Sequence, residues 1–158
     1  MKTETRTVTV ERRINGSPET VFPYFTDPAK HVLWQGFEAE LDPRPGGVYL
    51  VQMTKVSRIR GRYLEVEFPR RIVLDWGIEV DPDAGMPPVV HSVPVGSTVV
   101  EISFTPDGDA TIVRVVQSLL ADDDAAGFTR FGWTGFLDRL IRVAAGVDPG
   151  PDPFAGMD

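Results

Sequence analysis

Apolar and polar residues alternate along most of this chain with a period of two, and proline and glycine mark the places where they stop. In TRTVTVERRI, Val8, Val10 and Ile14 stand against Thr7, Thr9 and Glu11, the pattern of a half-buried strand, with Arg12 interrupting the inward set. NGSPETVFPYF then sets Ser17 as an N-cap before Pro18, which suits the first helical position because it has no N–H to orphan there. Asp27 and Pro28 repeat the device, so the spacing predicts two short helices, over residues 18–25 and 28–34. A run of strands follows: FEAEL, VYLVQM with Tyr49, Val51 and Met53 on one face, SRIRGRYLEVEF, and RIVLDWGIEV with Leu74, Trp76 and Ile78 opposite Asp75 and Glu79. Residues 98–105 and 111–119 read as a hairpin joined through an Asp-Gly turn. The loop before them, 81–96, is proline-rich and aperiodic, and reads as solvated linker rather than lid. A helix over about 124–145 carries Trp133, Phe136, Leu137, Leu140, Ile141 and Ala144 in one apolar stripe, with Phe128 and Phe131 off it.

One strand resists simple alternation. Arg58, Arg60 and Arg62 keep step with Leu64, Val66 and Phe68, and a single face cannot be both core and solvent. A β-bulge at Gly61 would resolve the conflict by shifting the phase, with Ile59 inward before it and Leu64, Val66 and Phe68 inward after it. The arginines would then face solvent and pair with neighbouring carboxylates. Strict alternation would instead aim them into the interior, where they would call for an anionic ligand.

The 158 residues suit one domain with a substantial core, and 42% apolar against 25% charged residues is ordinary for a soluble chain. Sixteen Lys+Arg against 23 Asp+Glu gives a net charge of −7, which repels phosphate backbones and argues against nucleic acid as a partner. No apolar run approaches the roughly 20 residues of a membrane span, and the N-terminal stretch lacks a secretory apolar region, so a cytoplasmic location is expected. Without cysteine there is no thiolate nucleophile or cysteine metal site. The two histidines, His31 and His91, have no metal-ligand spacing and read as packing or surface residues. No GxSxG elbow is present, and Glu65 with Glu67 and Asp75 with Glu79 lie on faces opposite the apolar ones, as solvated sheet surface. No catalytic residue, metal site or cofactor is therefore assigned.

Five blocks in order, GSPETVFPYFTDPAKHVLW, LDPRPGGVY, GRYLEVEFPRRIVLDW, STVVEISFTPDGDATIVRV and FGWTGFLDRL, resemble the landmarks of the family named after the activator of the heat-shock-protein-ninety ATPase. That family lies within the START-like or SRPBCC superfamily, which has the helix-grip fold of the birch pollen allergen. The resemblance implies an α+β fold: a curved antiparallel sheet of about seven strands wrapped around a long C-terminal helix, with two short helices after the first strand. It would form one domain over 1–147, and the acidic, Pro- and Gly-rich stretch 148–158 reads as a disordered tail. Two departures matter: family members often have histidine where this chain has Gln117 and Thr129, so roles resting on those histidines do not carry over.

The resemblance also implies a cavity between sheet and helix that holds an apolar or aromatic small molecule. The inward set expected to line it is Phe25, Trp34, Tyr49, Val51, Met53, Leu64, Trp76 and Ile78 from the first half of the chain. Phe104, Val113, Val115, Gln117, Trp133, Phe136 and Leu140 complete it, with Gln117, Tyr49 or Trp76 orienting the ligand. Two rival readings stand beside this one. The same cavity could serve a cyclase- or hydrolase-like enzyme, or the chain could be a chaperone accessory or homodimer that associates through Phe128, Phe131 and its acidic surface.

Overall fold

In the computed structural model, residues 6–155 are described; residues 1–5 and 156–158, the outer ends of the expected domain and tail, lie outside them. Strand β1 (Arg6–Asn15) leads into two short helices, α1 (Pro18–Val21), extended by a 3₁₀ turn over Phe22–Phe25, and α2 (Pro28–His31). Asp27 caps α2 by accepting from the Ala29 N–H at 3.0 Å. Then come β2 (Glu38–Leu41), β3 (Val48–Gln52), β4 (Ser57–Glu67), β5 (Arg71–Val80), β6 (Thr98–Asp107), β7 (Ala110–Leu120) and the 22-residue helix α3 (Asp123–Ala144). The strands form one antiparallel sheet in the order β1-β7-β6-β5-β4-β3-β2. It curves around α3, whose Trp133, Phe136, Leu137 and Leu140 are buried against it. Among the described residues no helix is long and apolar enough to cross a membrane.

The phase change in β4 exists, but not at Gly61. Pairing is regular with β3 over Arg58–Arg62 and with β5 over Ser57–Tyr63, and the register with β5 shifts between Tyr63 and Glu65. Ser57, Ile59, Gly61 and Tyr63 therefore form the inward row. Leu64, expected inward, is exposed; Val66 packs against the core; and Phe68 is exposed except where it meets Phe22 edge-on at 5.2 Å. Tyr63 decides the position of the bulge, because its hydroxyl donates to the Phe25 carbonyl at 2.9 Å and its ring meets Tyr49 at 5.6 Å.

The arginines face away from the core. Arg58 reaches Glu79 at 2.8 Å and Asp81 at 2.9 Å, Arg60 reaches Glu79 at 3.1 Å, and Arg60 and then Arg58 hold the Glu79 carboxyl below its ordinary range. Arg12, the other break in alternation, reaches across to Asp138 of α3 at 2.9 Å. Each such partly exposed pair contributes at most about 1 kcal/mol.

Two segments depart from their composition. The 81–96 loop is not a solvated linker: it contains a 3₁₀ turn at Pro88–Ser92, buries Val90 and Val93, and ties back to the sheet where the Ile78 N–H donates to the Val93 carbonyl at 2.7 Å. Residues 148–155, expected to be disordered, run back along α3. Pro153 lies over Gly135, and Phe154 packs against Phe128, Phe131 and Phe136. A single phenylalanine with an aromatic partner surface outweighs the Pro-Gly bias around it.

Candidate functional site

Where α3 stands off β3, β4 and β5, a cavity of about 30 Å³ remains. Of the expected lining, Met53, Trp76, Ile78, Trp133 and Phe136 are in its wall. The sheet adds Thr54, Ser57 and Ile59, the short-helix region adds Gln35, and α3 adds Thr129 and Gly132. The lining also takes in Met86 and Val90 of the 81–96 loop, Phe128 of α3, and Phe154 of the C-terminal segment. Phe128 also lines an outer cleft of about 610 Å³ with Val89 and Phe131, so its ring stands between the enclosed space and the surface. Of the two phenylalanines off the helix stripe, Phe128 lines both spaces and Phe131 is mostly exposed.

The remaining candidates lie elsewhere. Phe25, Trp34, Tyr49 and Phe104 belong to an aromatic cluster under α1 and α2, with Phe25 at 4.9 Å from Trp34 and 5.4 Å from Phe104. Val51, Val113, Val115 and Leu140 are core residues outside the cavity wall, and Leu64 is on the outer surface. His31 is enclosed by this cluster rather than at the surface. Its Nδ1 donates to the Tyr24 carbonyl at 3.0 Å, and its Nε2 lies 2.8 Å from Gln35 Oε1 and 3.5 Å from the Tyr49 hydroxyl. Burial lowers its pKa to about 4, against the opposing pull of the bonds to Gln35 and Tyr24, so the ring is neutral at pH 7.

Two of the three residues expected to orient a ligand are engaged with the protein. Tyr49 faces His31, and Gln117 sits behind the cavity wall, its Nε2 donating to Thr98 Oγ1 at 3.0 Å and its Oε1 accepting from Trp133 Nε1 at 2.7 Å. Gln117 thereby fixes the Trp133 ring, which lies 5.9 Å from Trp76. Trp76 is different: its Nε1 is buried without a partner, as is the hydroxyl of Thr129. The side chains of both residues are more than nine-tenths buried and both line the cavity. An unsatisfied buried donor costs about 1–3 kcal/mol, so the fold tolerates a strain here that it relieves at Gln117. Thr129 lies one helical turn before Trp133, whose indole is bonded by Gln117. That helical spacing was the available signal for Thr129; Gln35, Met86 and Phe154 had none, since loop and tail contacts follow no period.

Comparisons with known proteins agree with this architecture. Residues 15–145 match the sequence model of the family described as Activator of Hsp90 ATPase homolog 1-like protein. The solution structure of an AHSA1-like protein from Rhizobium etli is 38% identical over 98% of this chain and 91% of its own, with a TM-score of 0.70. DynU16, a protein of the dynemicin biosynthetic locus, is 20% identical over 92% of this chain and 50% of its own, with a TM-score of 0.73. The Aha1 dimer of Colwellia psychrerythraea is 15% identical over 88% of this chain and 96% of its own, with a TM-score of 0.69. The last two likenesses concern the fold. No curated protein matches the sequence.

Proposed function

The chain belongs to the Activator of Hsp90 ATPase homolog 1-like family, and on that premise we propose that it binds an uncharged, largely apolar small molecule between sheet and helix. The observation that carries this reading is the pair of unpartnered polar groups, Trp76 Nε1 and Thr129 Oγ1, in a wall otherwise dominated by apolar side chains. An indole N–H and a hydroxyl can both donate, so a ligand oxygen or nitrogen with a lone pair would satisfy them while the surrounding Met53, Ile59, Ile78 and Phe136 bury its apolar part. Binding is favoured over catalysis because the described wall contains no carboxylate, imidazole or amine to move a proton. His31 reaches the wall only through Gln35 and is neutral.

At about 30 Å³ the cavity holds one or two waters, so a ligand needs the cavity to open. Native mass spectrometry of protein purified from its own cells is expected to show a retained small molecule. The sharper test is Thr129→Val. Removing an unpaired buried hydroxyl while keeping the shape is expected to stabilise the free protein by about 1 kcal/mol and to weaken ligand binding several-fold. A variant that lost stability, with affinity unchanged, would assign Thr129 to packing and sink the reading.

A further inference from the structure

The wall of this cavity contains one part that the chain could withdraw. On α3, Phe128, Gly132 and Phe136 recur at four-residue spacing and form a slot. The Phe154 ring fills it, stacked on Phe128 with centroids 5.3 Å apart and planes 7° from parallel, and edge-on to Phe136 at 5.3 Å and 80°. Gly132 gives the slot its depth, since a Cβ there would come within 3.2 Å of the Phe154 ring. The slot therefore fits a flat ring closely. The chain that delivers the ring belongs to no helix or strand, and Pro153 beside it packs over Gly135. Its backbone bonds near Phe154 are local, from the Phe154 N–H to Asp152 Oδ1 at 2.7 Å and from the Ala155 N–H to the Asp152 carbonyl at 3.0 Å. Farther back, Arg139 Nη1 donates to the Gly150 carbonyl at 2.6 Å.

Resting on the binding reading above, we infer that this slot is the ring subsite of the ligand, that Phe154 is its intramolecular stand-in, and that the ligand is an uncharged aromatic carbonyl compound that displaces it. Each term follows from the wall. A parallel face at Phe128 and an edge at Phe136 select a planar ring, while the donors at Trp76 and Thr129 select an acceptor oxygen. With no charged side chain among the described lining residues, an anion or cation would be buried unpaired. Withdrawal of Phe154 joins a ring-sized apolar space to the existing cavity, which supplies the room that the closed state lacks.

The test uses prodan, an uncharged naphthyl ketone whose emission shifts to the blue in apolar surroundings, titrated into the full chain. Phe154→Ala is expected to bind prodan about tenfold more tightly than the parent chain, because the dye no longer competes with the ring. Phe154→Leu is expected to shift affinity in the same direction. Melting curves recorded alongside establish that each variant is folded. If the parent chain binds prodan and Phe154→Ala binds it equally or more weakly, Phe154 is fixed wall and the inference is overturned, with the binding reading intact. If no variant binds prodan even with the ring removed, the binding reading itself falls and the inference with it.

Discussion

Gly61→Ala is expected to cost the fold about 3 kcal/mol or more. Gly61 lies in the regular part of β4, opposite Tyr49 on β3 and Trp76 on β5. A Cβ at this position would stand 1.9 Å from the Asp75 carbonyl oxygen and 2.9 Å from its carbon. Those are backbone atoms of the paired strand, so no side-chain rotation can make room; β4 and β5 must part. The loss should appear as a lowered denaturant midpoint with little change in slope. Gly127→Ala in α3 is the matched control, because a Cβ there meets nothing within 4 Å and alanine favours helix by up to about 1 kcal/mol. The consequence reaches the site, since Trp76 is the register partner of Gly61, and a variant that folds should also bind ligand poorly. A Gly61→Ala chain as stable as the parent would show that the two strands do not approach this closely.

The second large effect is a loss of stability in mild acid, centred on His31. Its folded pKa is about 4, lowered chiefly by burial, against 6.5 for the free side chain. Between those values the unfolded chain takes up a proton that the folded chain refuses, so stability falls as pH drops from about 7 and levels off below about 4. At 1.36 kcal/mol per pKa unit the loss amounts to about 3 kcal/mol, a large share of the roughly 5–15 kcal/mol that holds a domain together. Denaturation across this range, compared with His31→Phe, isolates the histidine because the surface carboxylates titrate in both chains. The parent curve should fall more steeply than that of the variant. Parallel curves would mean that the ring becomes charged in place, with Tyr24 and Gln35 accepting from both nitrogens.

Of the two residues, Gly61 was partly visible from the sequence, whereas His31 read only as a packing or surface residue. Gly61 stood out because three arginines share its strand, and the outward direction of Arg58, Arg60 and Arg62 holds. The bulge sits at Tyr63–Glu65 instead, because periodicity shows that a phase must change without showing where. Tyr63 fixes the place through the Phe25 carbonyl, 38 residues away. Leu64 was lost from the site for the same reason. Gln117 was correctly placed inward by alternation with Val113 and Val115, but its partners, Thr98 and Trp133, come from another strand and from the helix.

What the sequence alone determined is the set of local choices: the alternation of β1 and β3 to β7, the proline-led starts of α1 and α2, the β6–β7 hairpin, and the apolar stripe of α3. Each is encoded within a few residues by a period, a cap or a turn, and together they specify the helix-grip order. Only the tertiary structure decided which polar groups go without a partner and which segments line the cavity. Trp76 and Thr129 are 53 positions apart, and Phe154 reaches a slot made by side chains 18 to 26 positions before it. Whether a buried hydrogen bond is made depends on where distant chains come to rest, and no local period carries that information.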